Sequence, residues 1–222
     1  MSDHSGRECP KCYKKQSLCI CSSITPLPTK HYVLILQHPQ EPDKELGSAR
    51  IANLALQNST LRVGLSWPNL SKALGRPAIQ GDWGVLYLGS KSEKRLTQDR
   101  VTVLTKSGGA ANLSEVKLEG IVVLDGTWAQ AKTMWWRNPW LLKLKRLTLN
   151  PARPSLYGKT RREPRRECLS TIESIAETLD ALGEDAKISD SLRGLFQALL
   201  HAYETPKPIT AIAFSNTATR DE

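Results

Sequence analysis

Apolar positions along the chain follow two periods. A β-branched run, His31–Gln37, is apolar at almost every position and reads as a strand buried on both faces. Leu61–Leu65, Trp83–Leu88, Val101–Thr105, Ile121–Leu124 and Arg146–Leu149 have the same character and predict further strands. Helical spacing lies between several of them. Ile51, Leu54 and Ala55 mark one helix from about Leu46 to Asn58, and Ala129–Trp136 predicts another. Strands interleaved with helices predict an α/β layer structure with a mainly parallel sheet.

The last third reads as helical. Ser170-Thr171-Ile172-Glu173 fits a capping box, in which the serine oxygen takes a backbone N–H and the glutamate reaches back. Leu169, Ile172, Ile175, Ala176, Leu179 and Leu182 then form one apolar stripe, and Leu192, Leu195, Phe196, Leu199 and Tyr203 a second. Both stripes read as core. Ahead of the first strand, residues 1–29 form a cysteine-rich knuckle that closes on Thr25-Pro26-Leu27-Pro28, a stiff extended linker. Two parts are therefore expected, the knuckle over 1–29 and a main domain over 30–222.

Composition narrows the class. Forty per cent of the 222 residues are apolar, which supports a core and excludes wholesale disorder. Uncharged apolar runs such as Tyr32–Leu36 and Gly120–Leu124 fall far short of the ~20 residues of a membrane span. The opening Met1-Ser2-Asp3-His4-Ser5 has no apolar signal core, so a cytoplasmic protein is expected. The net charge is +9, and Arg137–Cys168 alone, with ten basic and two acidic residues, holds +8 of it. Clustered Lys and Arg that neutralise phosphates release counterions, the usual source of nucleic-acid affinity. The same run also reads as a solvated basic face without a partner.

Four of the five cysteines, Cys9, Cys12, Cys19 and Cys21, crowd into thirteen residues as C-x2-C, six intervening residues and C-x-C. Two close pairs joined by a short loop can wrap four thiolates around one Zn²⁺. In a reducing compartment this reading leads, with an iron–sulfur cluster or redox thiols as the other two. Cys168 stands alone and reads as a small buried apolar residue.

The chain carries no G-x-G-x-x-G, no Walker-type loop, no H-E-x-x-H and no G-x-S-x-G, so the corresponding nucleotide-binding, zincin and serine-hydrolase classes lack their signatures. The sharpest local feature is Ile121-Val122-Val123-Leu124-Asp125-Gly126-Thr127-Trp128: a buried strand ends in an acid, turns on glycine and enters a helix through a threonine cap. Ligands of open α/β sheets bind outside the carboxyl ends of the strands, and N–H groups at a helix start hold anions. The same residues also read as an ordinary turn, cap and core filler. A second cluster joins Pro151-Ala152-Arg153-Pro154-Ser155-Leu156-Tyr157 to Arg161-Arg162-Glu163-Pro164, an irregular arginine-bearing backbone suited to phosphates and a stacked base. Trp135, Trp136 and Trp140 adjoin the same basic block and read as core or as stacking surface. His38-Pro39-Gln40-Glu41 follows the first strand, and His38 reads as a structural or a catalytic histidine.

In order, the cysteine knuckle, His38-Pro39, Asp125-Gly126-Thr127-Trp128, Pro154-Ser155-Leu156-Tyr157, Arg161–Pro164 and Leu169-Ser170-Thr171-Ile172-Glu173 resemble the DTW-domain proteins, named for D-x-T-W, from Cys9 to about Leu182. Many bacterial relatives carry Asn-Thr-Gly after the His-Pro segment, near which this chain has Gly47-Ser48-Ala49-Arg50. The resemblance implies an enzyme similar to tRNA-uridine aminocarboxypropyltransferases. These move the 3-amino-3-carboxypropyl group of S-adenosylmethionine to N3 of a tRNA uridine and release methylthioadenosine. It also implies a SPOUT-like, knotted α/β fold with helices on both faces of the sheet and a small zinc knuckle.

By the same resemblance Asp125, Thr127 and Trp128 are the catalytic residues, and Leu88, Leu124, Asp125, Gly126, Thr127 and Ser155 contact the donor. Asp125 would act as base or orient the donor's amino group, Thr127 and its helix start would hold the donor's carboxylate, and Trp128 would wall its apolar side. Arg153, Arg161, Arg162 and Arg165 would bind RNA phosphates with Tyr157 near the target base, and Cys9, Cys12, Cys19 and Cys21 would hold a structural Zn²⁺. The competing readings are a SPOUT-type RNA methyltransferase using the same donor and a non-catalytic zinc-knuckle RNA-binding protein.

Overall fold

The computed structural model describes residues 8–87, 99–104, 109–113, 116–151, 153–158 and 169–205. Among these residues seven strands form one sheet: β1 (Tyr32–Gln37), β2 (Ser59–Val63), β3 (Trp83–Tyr87), β4 (Val101–Leu104), β5 (Ala110–Ala111), β6 (Gly120–Asp125) and β7 (Lys145–Leu149). Their spatial order is β2-β1-β6-β3-β7-β4-β5. The first five in that order are mutually parallel, as the interleaved pattern predicts. At the far edge β4 runs antiparallel to β7, and β5 antiparallel to β4. Val101–Leu104 looks locally like the parallel strands, because direction is set by the connection and not by the run itself.

Among the described residues five α-helices accompany the strands: α1 (Ala49–Ala55), α2 (Leu70–Leu74), α3 (Trp128–Arg137), α4 (Thr171–Ala181) and α5 (Ala186–Glu204). Side chains alternate across the sheet, so each central strand feeds two cores. Val33, Ile35, Ile121, Val123 and Leu147 join the helices α1, α4 and α5 on one face. Leu34, Leu36, Val85 and Val122 meet α2 and the turn bearing Trp140, Leu141 and Leu144 on the other. Burial on both faces is why β1 and β6 read as continuous apolar runs. β6 starts on Gly120 because a Cβ there would lie 2.5 Å from the Tyr32 carbonyl and 2.8 Å from the Trp83 ring.

Boundaries shift where local hydrogen bonds compete. The helix expected from Leu46 starts at Ala49, since tight turns carry the chain from His38 to Gly47: Glu41 N–H donates to His38 O (3.0 Å), Lys44 N–H to Glu41 O (3.1 Å) and Gly47 N–H to Lys44 O (2.9 Å). Helix α2 is not among the elements the apolar pattern predicts, although Asn69 caps it by accepting from Lys72 N–H at 2.9 Å and Gly75 closes it at φ +87°. The capping box of α4 forms as read, with Ser170 and Glu173 exchanging bonds. The α4 and α5 stripes pack on each other, except that Tyr203 is exposed where α5 ends and leaves the core. Among the described residues no helix is long and apolar enough to cross a membrane. Cys168 lies outside the described residues.

Candidate active site

β1 and β6 are parallel neighbours in register, so Gln37 and Asp125 sit side by side at the carboxyl edge of the sheet. Both are buried. Gln37 Nε2 donates to Asp125 Oδ2 at 2.8 Å, and Thr171 Oγ1, from the first residue of α4, donates to Oδ1. The His38 N–H donates to the Asp125 carbonyl at 2.9 Å. The carboxylate requires the amino side of the Gln37 amide, which turns Gln37 Oε1 to a buried position with no hydrogen-bond partner. Asp125 is thus a rigid acceptor held from two elements, at the place where open α/β sheets bind ligands.

The chain turns on Gly126 directly into α3. A Cβ at Gly126 would approach Gln130 Cβ at 3.0 Å and His38 Cβ at 3.4 Å, so the close strand-to-helix turn selects glycine. Thr127 caps α3: its Oγ1 accepts from Gln130 N–H at 3.4 Å, and its own N–H donates to Gln130 Oε1 at 2.6 Å. Gln130 Nε2 also donates to Gln40 Oε1 at 3.2 Å, which ties α3 to the loop after β1. His38 is half-buried, and its Nδ1 accepts from Gln40 N–H at 3.3 Å. The macrodipole of the ten-residue α3 favours an anion near this end, beside the fixed acid.

Glu173 organises the other side. Buried in the first turn of α4, it accepts from Ser155 Oγ (2.7 Å), Leu156 N–H (2.8 Å), Ser170 N–H (3.0 Å) and Ser170 Oγ (2.7 Å). One carboxylate therefore completes the helix cap and pins the Ser155 loop to it. Ser48, which precedes α1, accepts from Ile172 N–H at 3.2 Å and brings the His38–Gly47 loop to the same point. Tyr157 is buried with its ring edge-on to Phe196, centroids 5.0 Å apart, and its hydroxyl donates to Leu46 O at 3.4 Å.

The knuckle lies against this loop. Cys9 Sγ and Cys21 Sγ are 3.8 Å apart, as are Cys12 Sγ and Cys19 Sγ, and all four sulfurs fall within 4.8 Å of one another. A tetrahedron of ~2.3 Å metal–sulfur bonds has edges of about 3.8 Å, so the four cysteines are spaced to hold a metal ion. Tyr13 adopts φ +58°, reversing the chain so that Tyr13 N–H donates to Cys9 O and Cys9 N–H to Lys14 O, each at 2.8 Å. Burial pushes the Cys12 and Cys21 thiols up. Burial also raises Cys9, but the amides of Cys12 and Lys11 and the adjoining thiols outweigh it and leave Cys9 lowered to about 6. Lys14 is buried beyond the cysteines and donates to Glu45 O (2.7 Å) and Lys44 O (3.2 Å). Burial pushes its ammonium down to about 8 against the opposing fields of Cys12, Glu45 and Asp125. Lys15 pairs with Glu45 at 2.8 Å, and Arg50 stacks over the Tyr13 ring at 4.2 Å.

Residues 6–204 match the DTW domain. The chain belongs to the DTW-domain family. Proteins named tRNA-uridine aminocarboxypropyltransferase 2 match it from Macaca fascicularis (27% identity over 86% of this chain and 62% of the relative) and Mus musculus (28% over 89% and 64%). A Drosophila melanogaster protein of the same name is 27% identical over 83% of this chain and 70% of its own length. The chain spans somewhat less than two thirds of the first two relatives. No solved structure matches the chain significantly.

The DTW element is brought together with Ser155 through Thr171 and Glu173, whereas the other motif residues scatter. Leu124 is half-buried at the strand end, Trp128 is exposed on the first turn of α3, and Arg153 is exposed. Tyr157 departs from its expected place beside a base, because its ring fills the core and braces the Ser155 loop. Leu88, Arg161, Arg162 and Arg165 lie outside the described residues. Sequence reasoning missed Gln37 and Thr171 as the partners of Asp125. A glutamine ending an otherwise apolar strand was the available signal for the first, and the second, beside a cap, had none.

Proposed function

We propose that this DTW protein is a tRNA-uridine aminocarboxypropyltransferase, moving the 3-amino-3-carboxypropyl group of S-adenosylmethionine to N3 of a tRNA uridine with release of methylthioadenosine. The observation that carries the reading is the buried Asp125 carboxylate, held by Gln37 and Thr171 at the start of α3, in a family whose named relatives bear that activity. The donor's sulfonium makes three attached carbons electrophilic, so the site must select Cγ of the methionyl chain by position. Alignment of two reactants can supply ~7–11 kcal/mol of such a barrier.

Asp125 is a fixed acceptor at the strand tip, suited to take the N3 proton or to hold the donor's ammonium. The first turn of α3, behind the Thr127 cap, takes the donor's carboxylate, while Leu124, Gly126 and the pinned Ser155 line its course, with Leu88 beyond the described residues. Trp128 closes the apolar side. The uridine loses its N3 proton, the N3–Cγ bond forms as the Cγ–S bond breaks, and the electron pair leaves with methylthioadenosine. Arg153 and the arginines 161, 162 and 165 take the RNA phosphates. Cys9, Cys12, Cys19 and Cys21 hold a structural Zn²⁺, whose role is to fasten the 1–29 knuckle to the 30–222 catalytic domain. Four free thiols at this spacing suit a reducing compartment, and we assign the protein to the cytoplasm. We further assign the SPOUT-like knotted wrapping. Its support is that β6 inserts between β1 and β3 and that α4 begins beside these strand tips, where Thr171 donates to Asp125.

Incubation with carboxypropyl-labelled donor and unmodified tRNA, followed by nucleoside mass analysis, tests the reading. An aminocarboxypropyl-uridine is expected, and Asp125→Ala is expected to keep the fold and lose transfer by a hundredfold or more, roughly 3 kcal/mol of barrier. A methyl adduct would make the chain a methyltransferase, and no donor binding with no product would leave an RNA-binding module.

A further inference from the structure

Of the three tryptophans beside the basic block, the fold buries Trp140 at 4% exposure, half-buries Trp135 and leaves Trp136 70% exposed. Burial of an indole is favourable, and exposed apolar residues grouped on one face mark an interaction site. The helix that presents it is firmly seated. Asn138, fully buried at its end, donates to Met134 O (2.7 Å) and Leu65 O (3.0 Å) and accepts from Trp67 N–H (2.8 Å). Trp128, Lys132 and Trp136 follow at four-residue intervals, all exposed, so aromatic, cation and aromatic form one ridge on α3. Eight residues at 1.5 Å rise carry that ridge about 12 Å away from the Asp125 strand tip.

Charge states the partner. Between Asp125 and Glu163 the sequence has no acidic residue, while Lys132, Arg137, Lys143, Lys145, Arg146 and Arg153 fall within that stretch. Arg137 and Lys143 are exposed where α3 ends, beside the exposed Leu142. An aromatic face borne by a stretch of sequence whose only charges are positive fits unpaired nucleotides, whose bases stack while their phosphates are neutralised.

We propose that the exposed ridge of α3, centred on Trp136 with Lys132, is an RNA platform that stacks an unpaired base next to the one being modified. It rests on the tRNA reading above and adds the element that holds the substrate strand. The test compares wild type, Trp136→Ala, Trp136→Phe and Lys132→Gln, all full-length, by anisotropy with a uridine-bearing RNA stem-loop and with a duplex lacking unpaired bases. Trp136→Ala is expected to weaken stem-loop binding about tenfold or more and duplex binding little, with Trp136→Phe between. Lys132→Gln is expected to lower the salt slope of log K by about one. Stem-loop affinity of Trp136→Ala equal to wild type overturns the platform even where wild type transfers normally. RNA binding that depends on Trp136 in a chain that transfers nothing overturns the reaction and supports the platform. Failure of the wild type to bind RNA overturns both.

Discussion

Among the described residues, Asp125 is held by two neutral donors rather than by a cation, a choice with chemical consequences. A salt bridge would bind the carboxylate to its partner, whereas Gln37 and Thr171 fix its orientation and leave lone pairs for a substrate. Thr171→Val removes one peg while Ser170 and Glu173 keep the helix cap intact. We expect kcat to fall about tenfold or more with little change in melting temperature, measured by steady-state transfer beside thermal denaturation. An unaltered kcat would show that Gln37 alone suffices. The position of Asp125 at a strand tip was readable from the buried run before it and the D-x-T-W turn after it. Its two partners were not, because they come from β1 and α4, far away in sequence.

At the scale of elements, the site is an arrangement of loops held by helix starts. Glu173 belongs to the local cap of α4, legible as S-T-I-E, but it also holds Ser155 and Leu156, which no local pattern announces. Replacing it with glutamine keeps acceptor capacity on one atom and puts a donor amide against groups that are themselves donors. Glu173→Gln is expected to cost about 2 kcal/mol in a urea titration and to raise the KM for the donor more than it lowers kcat, since the loop it frees carries Ser155. Gly126 makes a parallel point. The tight turn was visible as Asp-Gly, while the reason for glycine, the crowding of Gln130 and His38, is tertiary.

Across the whole molecule, the knuckle is continuous with the main domain. Cys9, Cys12 and Ile20 join the main core, and Lys14, Lys15 and Tyr13 grip the segment from Lys44 to Arg50 that leads to Ser48. Removing metal with a chelator is expected to cost about 2 kcal/mol, lowering Tm by roughly 4–8 °C, and to reduce transfer through that grip. Because burial pushes the Cys12 and Cys21 thiols up, metal must displace protons there. Stripping should therefore be faster at pH 6 than at pH 8, as followed by metal release and melting. By itself the sequence determined the α/β class, the strand runs, the caps of α3 and α4, the cysteine cluster and the strand-tip acid, because each is written in neighbouring residues through periodicity, capping chemistry or ligand spacing. Only the tertiary structure decided the reversed β4 edge, the partners of Asp125, the inward turn of Tyr157 and which tryptophan meets water. Those depend on which distant segments share a core, and local free energies are nearly indifferent to that choice.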